Sequence, residues 1–187
     1  MPPKAKCTKE QIVSTAFDMV RASGMSVLTA RNLAKELGTS TAPIFTLFNT
    51  VEEIQNEVIS RANVLYAEYI RKGLSQTLAF KGAGMKYIEF AKDEPELFKL
   101  LFLSENAETQ ITHFLPYYDA HAPEILETVE KSFSADKEKA KKIYNHMSVY
   151  AFGFASLFAQ KIYMFTLEDI SLMMTEVFNA LESGEKL

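Results

Sequence analysis

Cys7 is the only cysteine in 187 residues, which excludes a disulfide within the chain and any zinc site built on cysteine. Such sparing use of cysteine fits a reducing compartment, and a cytoplasmic location is expected. The longest apolar run, Val149 to Ala159, covers 11 residues even with Gly153 and Ser156 counted in it, against about 20 for a membrane-spanning helix. No membrane partner is expected. Residues 1 to 10, MPPKAKCTKE, lack the apolar centre of a signal peptide and read as a short basic arm. Catalytic signatures are missing too: there is no His-Glu-x-x-His, no Gly-x-Ser-x-Gly, no glycine-rich phosphate loop with Lys-Ser/Thr, and no Cys-His pairing of recognisable spacing. Gly82-Ala83-Gly84 has neither the third glycine nor the preceding strand of a dinucleotide fingerprint. His113 and His121 stand apart across prolines without a third ligand for a metal. No enzymatic activity, cofactor or metal ion is expected.

What the chain does have is helical periodicity from end to end. At 48% hydrophobic residues it can bury a substantial core. The most informative stretch is Thr29 to Phe48, TARNLAKELGTSTAPIFTLF, which reads as two short helices hinged at Gly38-Thr39. Leu33, Ala34 and Leu37 share one face of the first, and Ile44 and Phe48 one face of the second. Thr29 is placed to cap the first helix, Gly38 to end it in a left-handed conformation, and Ser40 to cap the second. Pro43 falls in the first turn of that second helix, where it is tolerated. Residues 8 to 23 supply a third helix to cover both inner faces, with Thr8 and Gln11 in a capping-box pattern ahead of Ile12, Val13, Ala16, Phe17 and Val20. The pattern predicts a three-helix head of helix-turn-helix type.

Residues 8 to 54 resemble the N-terminal domain of the TetR family of transcriptional repressors almost without gaps. The resemblance runs through Ser23-Gly24, Thr29-x-Arg31-x-Leu33-Ala34, Leu37-Gly38-Thr39-Ser40, Ile44-Phe45-x-x-Phe48 and Glu52-Glu53-Ile54. It implies an all-α protein: a helix-turn-helix head over residues 1–50, and a larger helical ligand-binding and dimerisation domain over residues 51–187. The implied function is a ligand-responsive repressor, a homodimer on a palindromic operator in double-stranded DNA. DNA contacts are expected from Thr29, Arg31, Ser40, Thr41, Ala42, Pro43, Phe45, Thr46 and Leu47. Three positions depart from the family pattern. Phe45 stands where a phosphate-binding tyrosine is usual, Leu47 where histidine or tyrosine is common, and Val51 where lysine is common. Each departure removes a phosphate contact, and such contacts dominate affinity for DNA. Residues 39 to 48 also hold no Arg, Lys, Asn or Gln for bidentate base contacts. A second reading therefore stays open: a small-molecule-binding or protein-interaction dimer whose head no longer reads DNA.

Charge favours the first reading. Residues 1 to 50 carry six lysines and arginines against three acidic residues, a balance of +3, which leaves −7 for the remainder of a chain whose net charge is −4. A basic head on an acidic body steers the head toward phosphate. Beyond the head, helices are expected over residues 51–72, 75–93, 94–103, 123–133, 134–161 and 166–183. In the penultimate helix Ala151, Ala155 and Ala159 recur every four residues and leave a shallow stripe for a partner helix. Met173, Met174 and Val177 offer a further apolar face on the last. These two helices are expected to form the dimer interface, as the resemblance also implies. The family's body encloses a cavity for a small apolar or amphipathic ligand. Its hydrogen-bonding groups are sought among the polar minority of the apolar stretches, His113, Tyr117, Tyr118, His146 and Tyr150.

Overall fold

The computed structural model describes residues 7–104, 122–133 and 137–183, and the chain is all-α. In order come α1 (Lys9–Ser23), a 3-10 turn (Met25–Val27), α2 (Ala30–Glu36), α3 (Ala42–Leu47), α4 (Val51–Leu74), α5 (Ala79–Asp93), α6 (Pro95–Phe102), α7 (Ala122–Phe133), α8 (Lys137–Ala159) and α9 (Leu167–Ser183). None of the helices among the described residues is long and apolar enough to cross a membrane.

Threonine caps set four of the starts. Thr8 Oγ1 accepts the Gln11 N–H at 3.1 Å while Gln11 Oε1 accepts the Thr8 N–H at 2.9 Å, the reciprocal box expected at α1. Thr29, Thr50 and Thr166 accept in the same way from Asn32, Glu53 and Asp169. Each such cap stabilises its helix by about 1 kcal/mol. Ser40 does not cap α3. That helix starts at Ala42, and Thr41 precedes it without a side-chain cap bond. Thr41 has helical dihedrals, φ −70° and ψ −20°, whereas a capping residue is extended, and Pro43 takes away one of the two N–H groups a cap could address. Gly38, at φ 65°, ends α2 as expected.

The long α4 buries Ile54, Val58, Ala62, Tyr66 and Ile70, one residue per turn. Its first half packs on α1 and its second on α5. Helix α5 is the centre of the molecule, covered by α4 on one side and α8 on another, with α6, α7 and α9 around it. Two glycines set the α4–α5 approach. A Cβ added at Gly73 would stand 2.5 Å from the Gly82 carbonyl oxygen and 2.7 Å from the Ala83 Cα, all backbone. The helices therefore meet main chain to main chain where α4 ends.

Gly73→Ala is accordingly expected to destabilise the protein by about 1–3 kcal/mol, the range for overpacking a tight contact. Gly153→Ala is the control: that position, inside α8, has nothing within 4 Å of an added Cβ, and removing a helix-interior glycine stabilises by about 0.5–1 kcal/mol. Urea unfolding of both variants reads the two signs; equal midpoints would refute the close crossing.

Candidate nucleic-acid surface and ligand cavity

Helix α3 is held from below and open above. Ile44 and Phe48 are buried, while Ser40, Thr41, Ala42, Thr46 and Leu47 face solvent and Pro43 is half-buried. Phe45 is 46% and Leu47 42% exposed, high for apolar side chains on so short a helix. Thr46 Oγ1 donates to the Ala42 carbonyl at 2.9 Å, so its oxygen remains an acceptor at the surface. Thr29 is occupied as the cap of α2, and Arg31 projects into solvent two residues later.

The positive charge around this surface is smaller than the residue count suggests. Lys9 pairs with Glu57 at 3.1 Å and lies 5.1 Å above the Phe48 ring, and Arg21 pairs with Glu94. Among the described cations of residues 7–50, Arg31 and Lys35 remain without an acidic partner. The start of α4 is acidic. Glu53 takes the Asn49 side-chain N–H at 2.8 Å and its backbone N–H at 2.9 Å, which hold its carboxyl below the ordinary range. Glu52 is lowered by its own backbone N–H and then by the Thr50 hydroxyl. Two carboxylates thus occupy the helix terminus where an anion would otherwise be welcome.

Arg21 ties α1 to the far part of the chain. Its Nε donates to Glu94 Oε2 at 2.6 Å and its Nη2 to Oε1, a bidentate fork. Glu94 is the buried charged residue among those described, 4% exposed, between the end of α5 and the start of α6. Next to it Tyr69 donates to Asp93 Oδ2 at 3.1 Å. Burial, and then the Asp93 charge, push the Tyr69 phenol up to about 12.

On the other side of α6 lies a cavity of about 310 Å³, at the lower end of the size of small-molecule sites. Tyr66 and Ile70 of α4, Ala83 and Tyr87 of α5, and Phe102 of α6 form one wall. Helix α8 contributes Tyr144, Met147, Ser148, Ala151 and Phe152, and α9 contributes Met174, Thr175, Phe178, Asn179 and Glu182. Lys81 enters at the first turn of α5 and donates to Thr175 Oγ1 at 3.0 Å. Rings run from the cavity to α6: Tyr66 and Tyr87 pack edge-on against Phe102 at 5.1 and 5.4 Å, and Tyr87 against Phe98 at 5.5 Å.

Several expected site residues are placed elsewhere. His146 is exposed and Tyr150 half-buried against Phe154, and neither lines the cavity. Residues 144, 147, 148 and 151 share one face of α8, and 146 and 150 lie on the opposite face. The cavity's polar lining is instead Lys81, Thr175, Ser148, Asn179 and Glu182 with the tyrosines Tyr66, Tyr87 and Tyr144, none of which interrupts an apolar run conspicuously in the sequence. His113, Tyr117 and Tyr118 lie outside the described residues.

The alanine stripe also needs correcting. Ala151, Ala155 and Ala159 are 4%, 0% and 0% exposed, so the close approach they permit is made inside the subunit, on the face of α8 that packs against α5, and no area is left for a partner. Met174 is buried too, beside the cavity, while Met173 and Val177 are half-buried. The open face of α8 is the opposite one: His146, Val149 and Gly153 face solvent at helical spacing. Val149 is 62% exposed, and Leu172 on α9 60%.

Neither a family model nor a curated protein matches the chain.

Tyr69 offers a pH test of the α4–α5 junction. An unfolded phenol ionises near 10.0 and the folded one near about 12, so between these values the unfolded state gives up a proton that the folded state keeps. The contribution is complete below pH about 10 and lost as pH rises toward about 12. Thermal midpoints over that range should fall less steeply in Tyr69→Phe than in the unmodified protein. Parallel curves would mean that the phenol is not held in its neutral form.

Proposed function

We propose that this chain is a ligand-responsive transcriptional regulator of TetR type, a homodimeric repressor that leaves a palindromic operator when a small apolar or amphipathic molecule fills its cavity. The observation that carries the reading is the exposure of α3. A six-residue helix anchored by Ile44 and Phe48 keeps Thr41, Ala42, Phe45, Thr46 and Leu47 outside the core, which has no use in the fold and suits a major groove. Hydroxyls there contact base edges or phosphates, and Ala42 and Leu47 contact thymine methyls. The resemblance of residues 8 to 54 to the family's head supports the same assignment.

Release follows from a route through α6. A molecule that presses on Tyr87 and Phe102 presses on the helix whose first turn begins at Glu94, and Glu94 holds Arg21 at the end of α1. Ligand binding then favours a body conformation whose two heads no longer match successive half-sites. The acidic start of α4 and the engaged Lys9 and Arg21 favour a second reading, in which the cavity functions and the head does not bind DNA. Selection from random duplexes decides between them. The regulator reading expects an enriched palindrome with half-sites about 10 bp apart or a multiple of it. Arg31→Ala should weaken binding to all sequences and flatten the salt slope by about one unit. No enrichment at low salt would sink the DNA-binding assignment.

The homodimer uses the outer faces of α8 and α9 in this proposal. Two copies bring two heads to a symmetric site, and Val149 and Leu172 leave apolar area that the single chain does not cover. Val149→Glu should give a folded monomer by sedimentation, with circular dichroism unchanged because the position is outside the core. A dimer that persists in Val149→Glu would move the interface to another face.

A further inference from the structure

Resting on the reading of the cavity as the effector site, we propose that its ligand is an amphipathic anion, a carboxylate on an apolar body of about ten water-sized groups, the volume available. Lys81 carries the argument. Its ammonium has three donors, one of which is used on the neutral Thr175 hydroxyl at 3.0 Å. That hydroxyl is itself satisfied, donating to the Ser171 carbonyl at 2.8 Å. No described carboxylate forms an ion pair with Lys81. Two other part-buried lysines differ: Lys86 pairs with Glu89 and Lys99 with Glu96, each three residues away on its own helix. Three and four residues after Lys81 stand Gly84 and Met85, so the helix supplies no local counter-ion.

Glu182 is the acidic side chain in the same wall. It lies exposed near the end of α9, and Lys139 Nζ donates to its backbone carbonyl at 2.9 Å, so a second ammonium stands near it. Ser148, Asn179 and the tyrosines Tyr66, Tyr87 and Tyr144 are neutral, and the rest of the lining is apolar, with Ile70, Ala83, Met147 and Phe178 in contact with the void. A neutral ligand of the right shape fills this space and leaves the Lys81 charge without a partner as water is displaced, which is costly. A cation adds repulsion. A carboxylate takes the two free donors in charge-assisted bonds, the stronger kind, while its apolar tail replaces water along the remaining wall.

Calorimetric titration of the full chain with decanoate, 1-decanol and decyltrimethylammonium tests this, using Lys81→Met and Ser148→Phe as variants. Decanoate should bind at least about tenfold more tightly than decanol, in keeping with a charge-assisted bond, and the cationic amphiphile most weakly. Lys81→Met should bring decanoate to the level of decanol while decanol binding persists, which also reports that the variant is folded. Decanol equal to decanoate, or a preference that survives Lys81→Met, would overturn the anion assignment and leave the cavity as a neutral-ligand site. Binding of none of the three, or decanoate binding untouched by Ser148→Phe in the cavity wall, would overturn the effector-site reading and this inference with it.

Discussion

A carboxylate that is 4% exposed must have a partner, and Glu94 has one in Arg21. Taking the acid out of water is costly unless its oxygens are satisfied, and the planar guanidinium fork satisfies both at once. Because Arg21 sits in the last turn of α1 and Glu94 between α5 and α6, the pair fixes where the N-terminal helices stand on the rest of the chain. The arginine is itself half solvent-exposed, so the pair works as a clamp at the edge of the core. Gly24 follows at φ 81°, where a Cβ would come within 3.0 Å of Glu96 Oε2. The Glu96 carboxylate could swing aside, so it is the positive φ of this turn that calls for glycine.

The second constraint acts at the other end of α4. Contact between the backbones at Gly73 and Gly82 brings α4 and α5 together at the junction between them, and this places the first turn of α5 with Lys81 over the cavity. Farther along, the rings of Tyr66 from α4, Tyr87 from α5, and Phe98 and Phe102 from α6 pack against one another. Aromatic contacts of this kind prefer edge-on geometry, which couples the orientation of one ring to the next. The cavity wall and the α6 end of the clamp are therefore parts of one packed cluster.

Helix positions were legible in the sequence because local chemistry writes them: Thr8 and Thr29 cap, Gly38 turns, and apolar residues recur at helical spacing. The start of α3 was misplaced where two local rules competed, a serine suited to capping and a proline lacking the N–H to be capped. The alanine stripe of α8 failed for a different reason. That helix carries apolar or small residues on two opposite faces, Ala151-Ala155-Ala159 on one and Val149-Gly153 on the other, and nothing local says which meets α5. Pocket residues were harder still. Lys81, Ser148 and Thr175 come from three helices, and their convergence is a property of packing that no single stretch encodes. Glu94 and Arg21, 73 positions apart, are likewise unreadable as a pair.

The ion pairs that hold the N-terminal helices also limit what those helices can do. Lys9 with Glu57 and Glu10 with Arg61 tie α1 to α4 at the surface, where each pair adds little stability but engages a cation that could otherwise face phosphate. With Arg21 committed to Glu94, Arg31 and Lys35 are the described cations near α3 that remain. A surface with so little free positive charge cannot hold DNA by nonspecific attraction alone, because that attraction scales with the phosphates neutralised. If α3 reads DNA, it must do so by shape and by hydroxyl and methyl contacts, each weak, and two heads held at a fixed spacing are then a requirement. In the proposed dimer that spacing depends on how each head is seated on its body, and the Arg21–Glu94 clamp is the contact that seats it.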